Sequence, residues 1–71
     1  MENITGKRIR ERRKIMGMTL AQVAAQVGVS RQTIQRYETG VIRNIPKTNI
    51  ELLAKALGTT PVYLVGWNEN I

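Results

Sequence analysis

Seventy-one residues with no cysteine and no histidine, eleven Lys and Arg against five Asp and Glu, and a formal charge of +6 describe one small basic domain without disulfides. Without those two residue types it lacks the commonest general base, the thiol nucleophile and the usual zinc ligands. The carboxylates of Glu2, Glu11, Glu38, Glu51 and Glu69 are scattered with no pair at helical spacing, so the composition points away from an enzyme, a metal site or a cofactor.

The first helix carries the charge: Lys7, Arg8, Arg10, Arg12, Arg13 and Lys14 are six of the eleven cations. Such a positive field speeds encounter with a polyanion and gives salt-dependent binding through counterion release. Three partners answer to that charge. An anionic membrane fits poorly, because Ile4, Ile9, Ile15 and Met16 are the bulky apolar residues here, too few to bury in lipid and in a core as well. Single-strand RNA readers present aromatic platforms, and Tyr37, Tyr63 and Trp67 are the aromatics of this chain. Duplex DNA fits best. Arg10 and Lys14 are expected on the exposed face of this helix.

Thr19 to Glu38, TLAQVAAQVGVSRQTIQRYE, spells two short helices joined by a tight turn. Thr19 with Gln22 makes a capping box, and Met18 with Val23 a hydrophobic staple, which predicts a helix from Leu20 with a buried stripe of Leu20, Val23, Ala24 and Val27. Gly28 supplies the residue that tolerates positive φ, and Ser30 caps a second helix, Arg31 to Thr39, stapled by Val29 and Ile34. On a helical wheel Ile34 and Tyr37 point to one side, whereas Arg31, Gln32, Gln35 and Arg36 fall on the other. Arg pairs bidentately with guanine and Gln with adenine, so this polar side carries groups suited to base edges in the major groove. An ordinary solvated face would more often be Lys and Glu.

Further on, Thr48 and Glu51 have the spacing of another capping box, before an apolar stripe of Ile50, Leu53, Ala54 and Leu57 that stops at Gly58. Thr60 followed by Pro61 reads as a cap and a favoured first-turn residue. The Val62, Tyr63, Leu64 and Val65 that follow cannot all face one core. Exposed side chains among Val62, Tyr63, Val65 and Trp67 would form a self-association patch, or be the scattered apolar residues that every surface carries. Gly40, Gly58 and Gly66 read as helix stops, and none belongs to a phosphate-cradling loop. No stretch is apolar and long enough for a signal peptide or a membrane helix, which predicts a cytoplasmic protein.

Taken together, IRERRKIMGMT at Ile9 to Thr19, LAQVAAQVGVSRQTIQRYETG at Leu20 to Gly40 and IELLAKALGTTPVYLVGW at Ile50 to Trp67 resemble the lambda-repressor-like helix-turn-helix domains of phage repressors and xenobiotic-response-element-type bacterial regulators. The resemblance implies an all-α fold, a compact bundle of five helices, with Arg31 to Thr39 as the recognition helix. It also implies a structural pair between Arg13 and Glu38, against a direct phosphate role for Arg13. Leu20 stands where this family commonly has a Gln on the sugar-phosphate backbone, so that contact would pass to Thr19 or Gln22. Arg12 occupies a position that is frequently apolar, which suggests a more solvated face or an extra phosphate contact. Residues 1–67 form the DNA-binding domain on this reading, and residues 68–71 begin a linker or tail.

The expected function is a sequence-specific regulator that binds a double-stranded DNA operator, most simply a repressor, and pairs on it as a dimer. Arg31, Gln32, Gln35 and Arg36 would read bases. Thr19, Gln22, Ser30, Thr39, Arg43 and Lys47 would fix the docking on phosphates. The alternative is an antitoxin-like or regulator-binding helical module whose C-terminal segment grips a protein partner.

Overall fold

The computed structural model describes residues 3–66, and within them the chain folds into five helices: α1 (Ile4–Ile15), α2 (Leu20–Val27), α3 (Arg31–Thr39), α4 (Lys47–Ala56) and α5 (Pro61–Val65). Every helix sends one side chain to the fully buried centre: Ile9, Val23, Ile34, Leu53 and Leu64 are each 0% exposed, joined by Leu57 just beyond α4. Full burial of such a side chain is worth about 1.5–3 kcal/mol, so this cluster is the main support of a domain that buries only about 60% of its unfolded surface.

The helix pair at the centre follows from local sequence. Thr19 Oγ1 accepts from the Gln22 amide at 3.1 Å and Gln22 Oε1 from the Thr19 amide at 2.8 Å, closing both halves of the capping box. Gly28 then takes φ +85°, which an L side chain rarely adopts, and its amide and that of Val29 both return to the Ala24 carbonyl. Ser30 Oγ accepts from the Thr33 amide, so that α3 starts at the very next residue, Arg31. Val23, Ala24 and Val27 are buried, and Leu20 is half-buried against them.

Two expectations are corrected. Thr48 does not cap α4: the helix begins at Lys47, with Pro46 at the N-cap and no side-chain cap bond. The fixed φ of Pro46 already sets the entry, and its carbonyl accepts from the Ile50 amide at 3.0 Å, so Thr48 lies inside the first turn. Arg12 is part-buried and bonded within the fold rather than standing free on a solvated face. Its Nε and Nη2 donate to the Leu57 carbonyl at 3.0 and 2.8 Å, and Nη2 also to the Gly58 carbonyl at 3.2 Å. These carbonyls have no partner within α4, and the cation sits at the negative end of that helix.

Other long-range bonds fix α1 in place. Arg8 Nη1 donates to the Tyr63 carbonyl at 2.7 Å while its guanidinium lies 4.4 Å from the Tyr63 ring centroid, which ties α1 to α5. Asn3 caps α1 by accepting from the Gly6 amide, and its Nδ2 donates to the carbonyls of Tyr37 and Glu38 at the end of α3. Gly6 permits that approach, because a Cβ there would run into the same two carbonyl oxygens.

Candidate nucleic-acid interface

Helix α3 is held from below. Ile34 is fully buried, Tyr37 is 4% exposed, and the Tyr37 hydroxyl accepts from Asn49 Nδ2 at 3.1 Å, so the helix cannot roll without breaking a bond to α4. Its other side is open: Arg31, Gln32, Gln35, Arg36 and Thr39 are all exposed. The side chains of Arg31, Gln32, Gln35 and Arg36 make no hydrogen bond or ion pair with any described residue, so their donors and acceptors point to solvent. Two guanidinium forks and two amides side by side can form bidentate pairs with base edges.

Around this face the six candidate phosphate ligands differ in what they have left to offer. Thr19 and Gln22 are exposed but bound to each other, which leaves the Thr19 hydroxyl hydrogen and the Gln22 amide NH2 as donors. Ser30 Oγ is occupied as a cap and lies 2.9 Å from Thr33 Oγ1. Thr39 Oγ1 lies 3.5 Å from the Arg36 carbonyl, too long to hold it firmly. Arg43 braces the end of α3 through Nε to the Gly40 carbonyl at 3.3 Å and is otherwise exposed. Lys47 is exposed at the first position of α4 and lines an apolar groove shared with Val62 and Val65.

The structure brings Arg13 and Glu38 together. Arg13 Nε lies 2.7 Å from Glu38 Oε2 and Nη2 3.2 Å from Oε1, while Nη1 donates to the Met18 carbonyl, so every nitrogen of the guanidinium is engaged. The side chains are 15% and 6% exposed. The hydrogen bond to Glu38 raises the Arg13 pKa above the ordinary arginine value, against a smaller lowering from burial. This fork joins α1 to the end of α3. Arg10 and Lys14 stand exposed on α1.

Of the four residues expected to form an apolar patch, Val62 and Val65 are 52% and 43% exposed, and with Ile45, Ile50, Pro61 and Lys47 they line an open groove. Tyr63 is half-buried and engaged by Arg8, and Trp67 lies outside the described residues, as does the 68–71 tail. Among the described residues no group of three His, Cys, Asp or Glu could hold a metal ion, and no helix is long and apolar enough to cross a membrane.

Sequence reasoning overlooked Asn3 and Gly6, which join the start of α1 to the end of α3. Asn3 followed by Ile4-Thr5-Gly6 carries a local cap signal that could have placed the start of α1. The clamp on α3 leaves no such signal, since its partners are more than thirty residues away.

Residues 9–64 match the pattern of the helix-turn-helix family. The chain is 36% identical over 58 residues to an uncharacterized HTH-type transcriptional regulator, y4wC, of Sinorhizobium fredii (strain NBRC 101917 / NGR234); the match takes in 82% of this chain and 40% of that protein. It is similar in structure to the P22 c2 repressor, solved in complex with synthetic operator 9T in the presence of Tl+, with a TM-score of 0.81, 36% identity and coverage of 86% of this chain and 91% of that one. The five-helix all-α fold is therefore the repressor-like one that the sequence motifs implied.

Proposed function

The chain belongs to the helix-turn-helix family, and on that premise we propose that it is a sequence-specific regulator of transcription, a repressor that occupies a double-stranded DNA operator with α3 in the major groove. The observation that carries this reading is the set of four exposed, unpartnered side chains, Arg31, Gln32, Gln35 and Arg36, on a helix whose opposite side is locked into the core. Likeness to a repressor solved on an operator supports it. In this arrangement Arg31 and Gln32, in the first turn, approach base edges most closely, and Gln35 and Arg36 follow one turn on. Thr19, Gln22, Ser30, Thr39, Arg43 and Lys47 dock on phosphates and fix register without reading sequence. Residues 1–67 act as the DNA-binding unit, in the cytoplasm of a bacterial cell or of one infected by phage. Occupancy alone represses, so the function needs no catalysis and no cofactor.

A further reading concerns assembly: the apolar groove beside α5, with Val62 and Val65 exposed, favours pairing of two copies on one operator or contact with a protein partner. The test of the DNA reading is selection of bound duplexes from a random pool, followed by titration of wild type and Gln32→Ala on the selected and a random duplex at two salt concentrations. Gln32→Ala should weaken the selected site by about 1–3 kcal/mol and leave random duplex nearly unchanged. Equal losses on both would make Gln32 a backbone contact. Undetectable or salt-insensitive binding by wild type would turn the reading toward a protein-interaction module.

A further inference from the structure

We propose that Arg10 is a further ligand for the DNA backbone, placed beside α3 to take a phosphate at the edge where Leu20 offers no polar group. This rests on the DNA-binding reading above. Arg10 lies one helical turn before Arg13, and with Leu20, Gln35, Glu38 and Thr39 these two arginines line an open groove between the start of α2 and the reading helix. The carboxylate at the floor of that groove is already taken: Arg13 bonds both oxygens of Glu38. Arg10 makes no hydrogen bond or ion pair with any described residue, so its guanidinium is a free cation in a groove whose other charges are paired.

The rim of the groove is Gln35 and Thr39, four residues apart on the exposed side of α3. Because Arg10 shares this groove with Gln35 and Thr39, a strand whose bases met Gln35 would bring its backbone within reach of Arg10. The neighbouring polar residues of α2 serve less well, because Thr19 and Gln22 hold each other in the capping box, and Leu20 between them is apolar. A guanidinium suits such a contact because it is always charged and its planar fork matches two phosphate oxygens. Rooted on α1 rather than on the reading helix, it adds affinity and register but no base preference.

The competing reading is a solvated charge that contributes only to the overall positive field, and Lys14 supplies the control. It lies on the same helix, is exposed and carries the same charge, but lines a different depression with Ile15, Thr59 and Tyr63. The full chain is compared with Arg10→Gln and Lys14→Gln on a selected and a random duplex across a series of salt concentrations, with thermal melting to confirm that each variant folds. Arg10→Gln should lower affinity about tenfold on both duplexes, as loss of one charge-assisted contact implies. It should also flatten the dependence of log K on log salt by about 0.9, the amount for one phosphate. Lys14→Gln should leave that slope unchanged, and Arg10→Lys should restore it. Equal slopes for Arg10→Gln and wild type, or equal effects of the two Gln variants, would overturn the assignment. So would a loss confined to the selected duplex, which would make Arg10 a base reader. Wild type that binds no duplex overturns the underlying DNA reading instead, a result distinguishable from any effect at Arg10.

Discussion

The guanidinium of Arg12 reaches the carbonyl oxygen of Leu57, 45 residues along the chain, with two of its nitrogens at 3.0 and 2.8 Å. One arginine of the basic helix thereby closes the end of α4. Charge-assisted bonds of this kind contribute about 1.5–3 kcal/mol where solvent is excluded, and the part-buried site here lowers that to about 1–2 kcal/mol. Arg12→Met, which keeps the apolar stem, should therefore lower the thermal midpoint by several degrees, at about 4–8 °C per kcal/mol for a domain of this size. Duplex affinity of the folded variant should match wild type. A weakened titration with an unchanged melt would return Arg12 to the phosphate contacts.

At Gly6 two physical effects oppose each other, and the structure decides the sign. Gly inside a helix costs about 1 kcal/mol against Ala, so propensity alone makes Gly6→Ala stabilising. A Cβ, however, would overlap the carbonyl oxygens of Tyr37 and Glu38, which are backbone atoms of α3 and cannot rotate away. Overpacking of this sort costs about 1–3 kcal/mol, and the rigid partner places Gly6→Ala at the upper end. Calorimetry should show a lower midpoint. A raised one would mean that α1 and α3 separate readily, and that the position of α3 is set elsewhere.

Those residues also show what the sequence could and could not reveal. The boundaries of α2 and α3 were legible because Thr19, Gln22, Gly28 and Ser30 act on neighbours within four residues, and the structure keeps each local bond. The start of α4 was misplaced by a local rule overridden locally: Thr48 and Glu51 have capping spacing, but Pro46 had already begun the helix. Arg12, Asn3 and Gly6 were illegible for another reason, since their partners are distant carbonyls, and a carbonyl has no residue-type signature. The polar side of α3 was legible as a pattern; that its four side chains have no partner among the described residues needed the fold.

Arg13 and Glu38 should behave as one unit. With both side chains largely buried, removing either strands the other, at a cost of about 3 kcal/mol, the lower end for a buried pair. Arg13→Ala and Glu38→Ala should each lower stability in denaturant titration, and the double variant should lose less than the sum, with a coupling of about 1–3 kcal/mol. Strict additivity would leave the 2.7 Å contact energetically idle. Arg13→Ala that melts normally yet binds DNA poorly would make Arg13 a phosphate ligand.

Self-association is the property for which the visible surface is smallest. α5 is five residues long and exposes Val62 and Val65 beside the groove of Ile45, Ile50 and Pro61, whereas a stable interface buries about 1,200–2,000 Å². Contacts of that modest extent hold two copies only where something else brings them together, and two half-sites about 10 base pairs apart, centre to centre, do so on one face of a duplex. The chain should therefore sediment as a monomer at low micromolar concentration, yet bind a two-half-site duplex cooperatively. Val65→Glu places a carboxylate on a side chain that is 43% exposed, and a thermal melt checks that the packing of the neighbouring Leu64 survives. Because Val65 shares its depressions with Arg43 and Lys47, binding of the variant to a single half-site is the reference, and relative to it the cooperativity on two should fall. A tight dimer in free solution would contradict the first expectation. Undiminished cooperativity in folded Val65→Glu would contradict the second, and would assign the pairing to residues outside this groove.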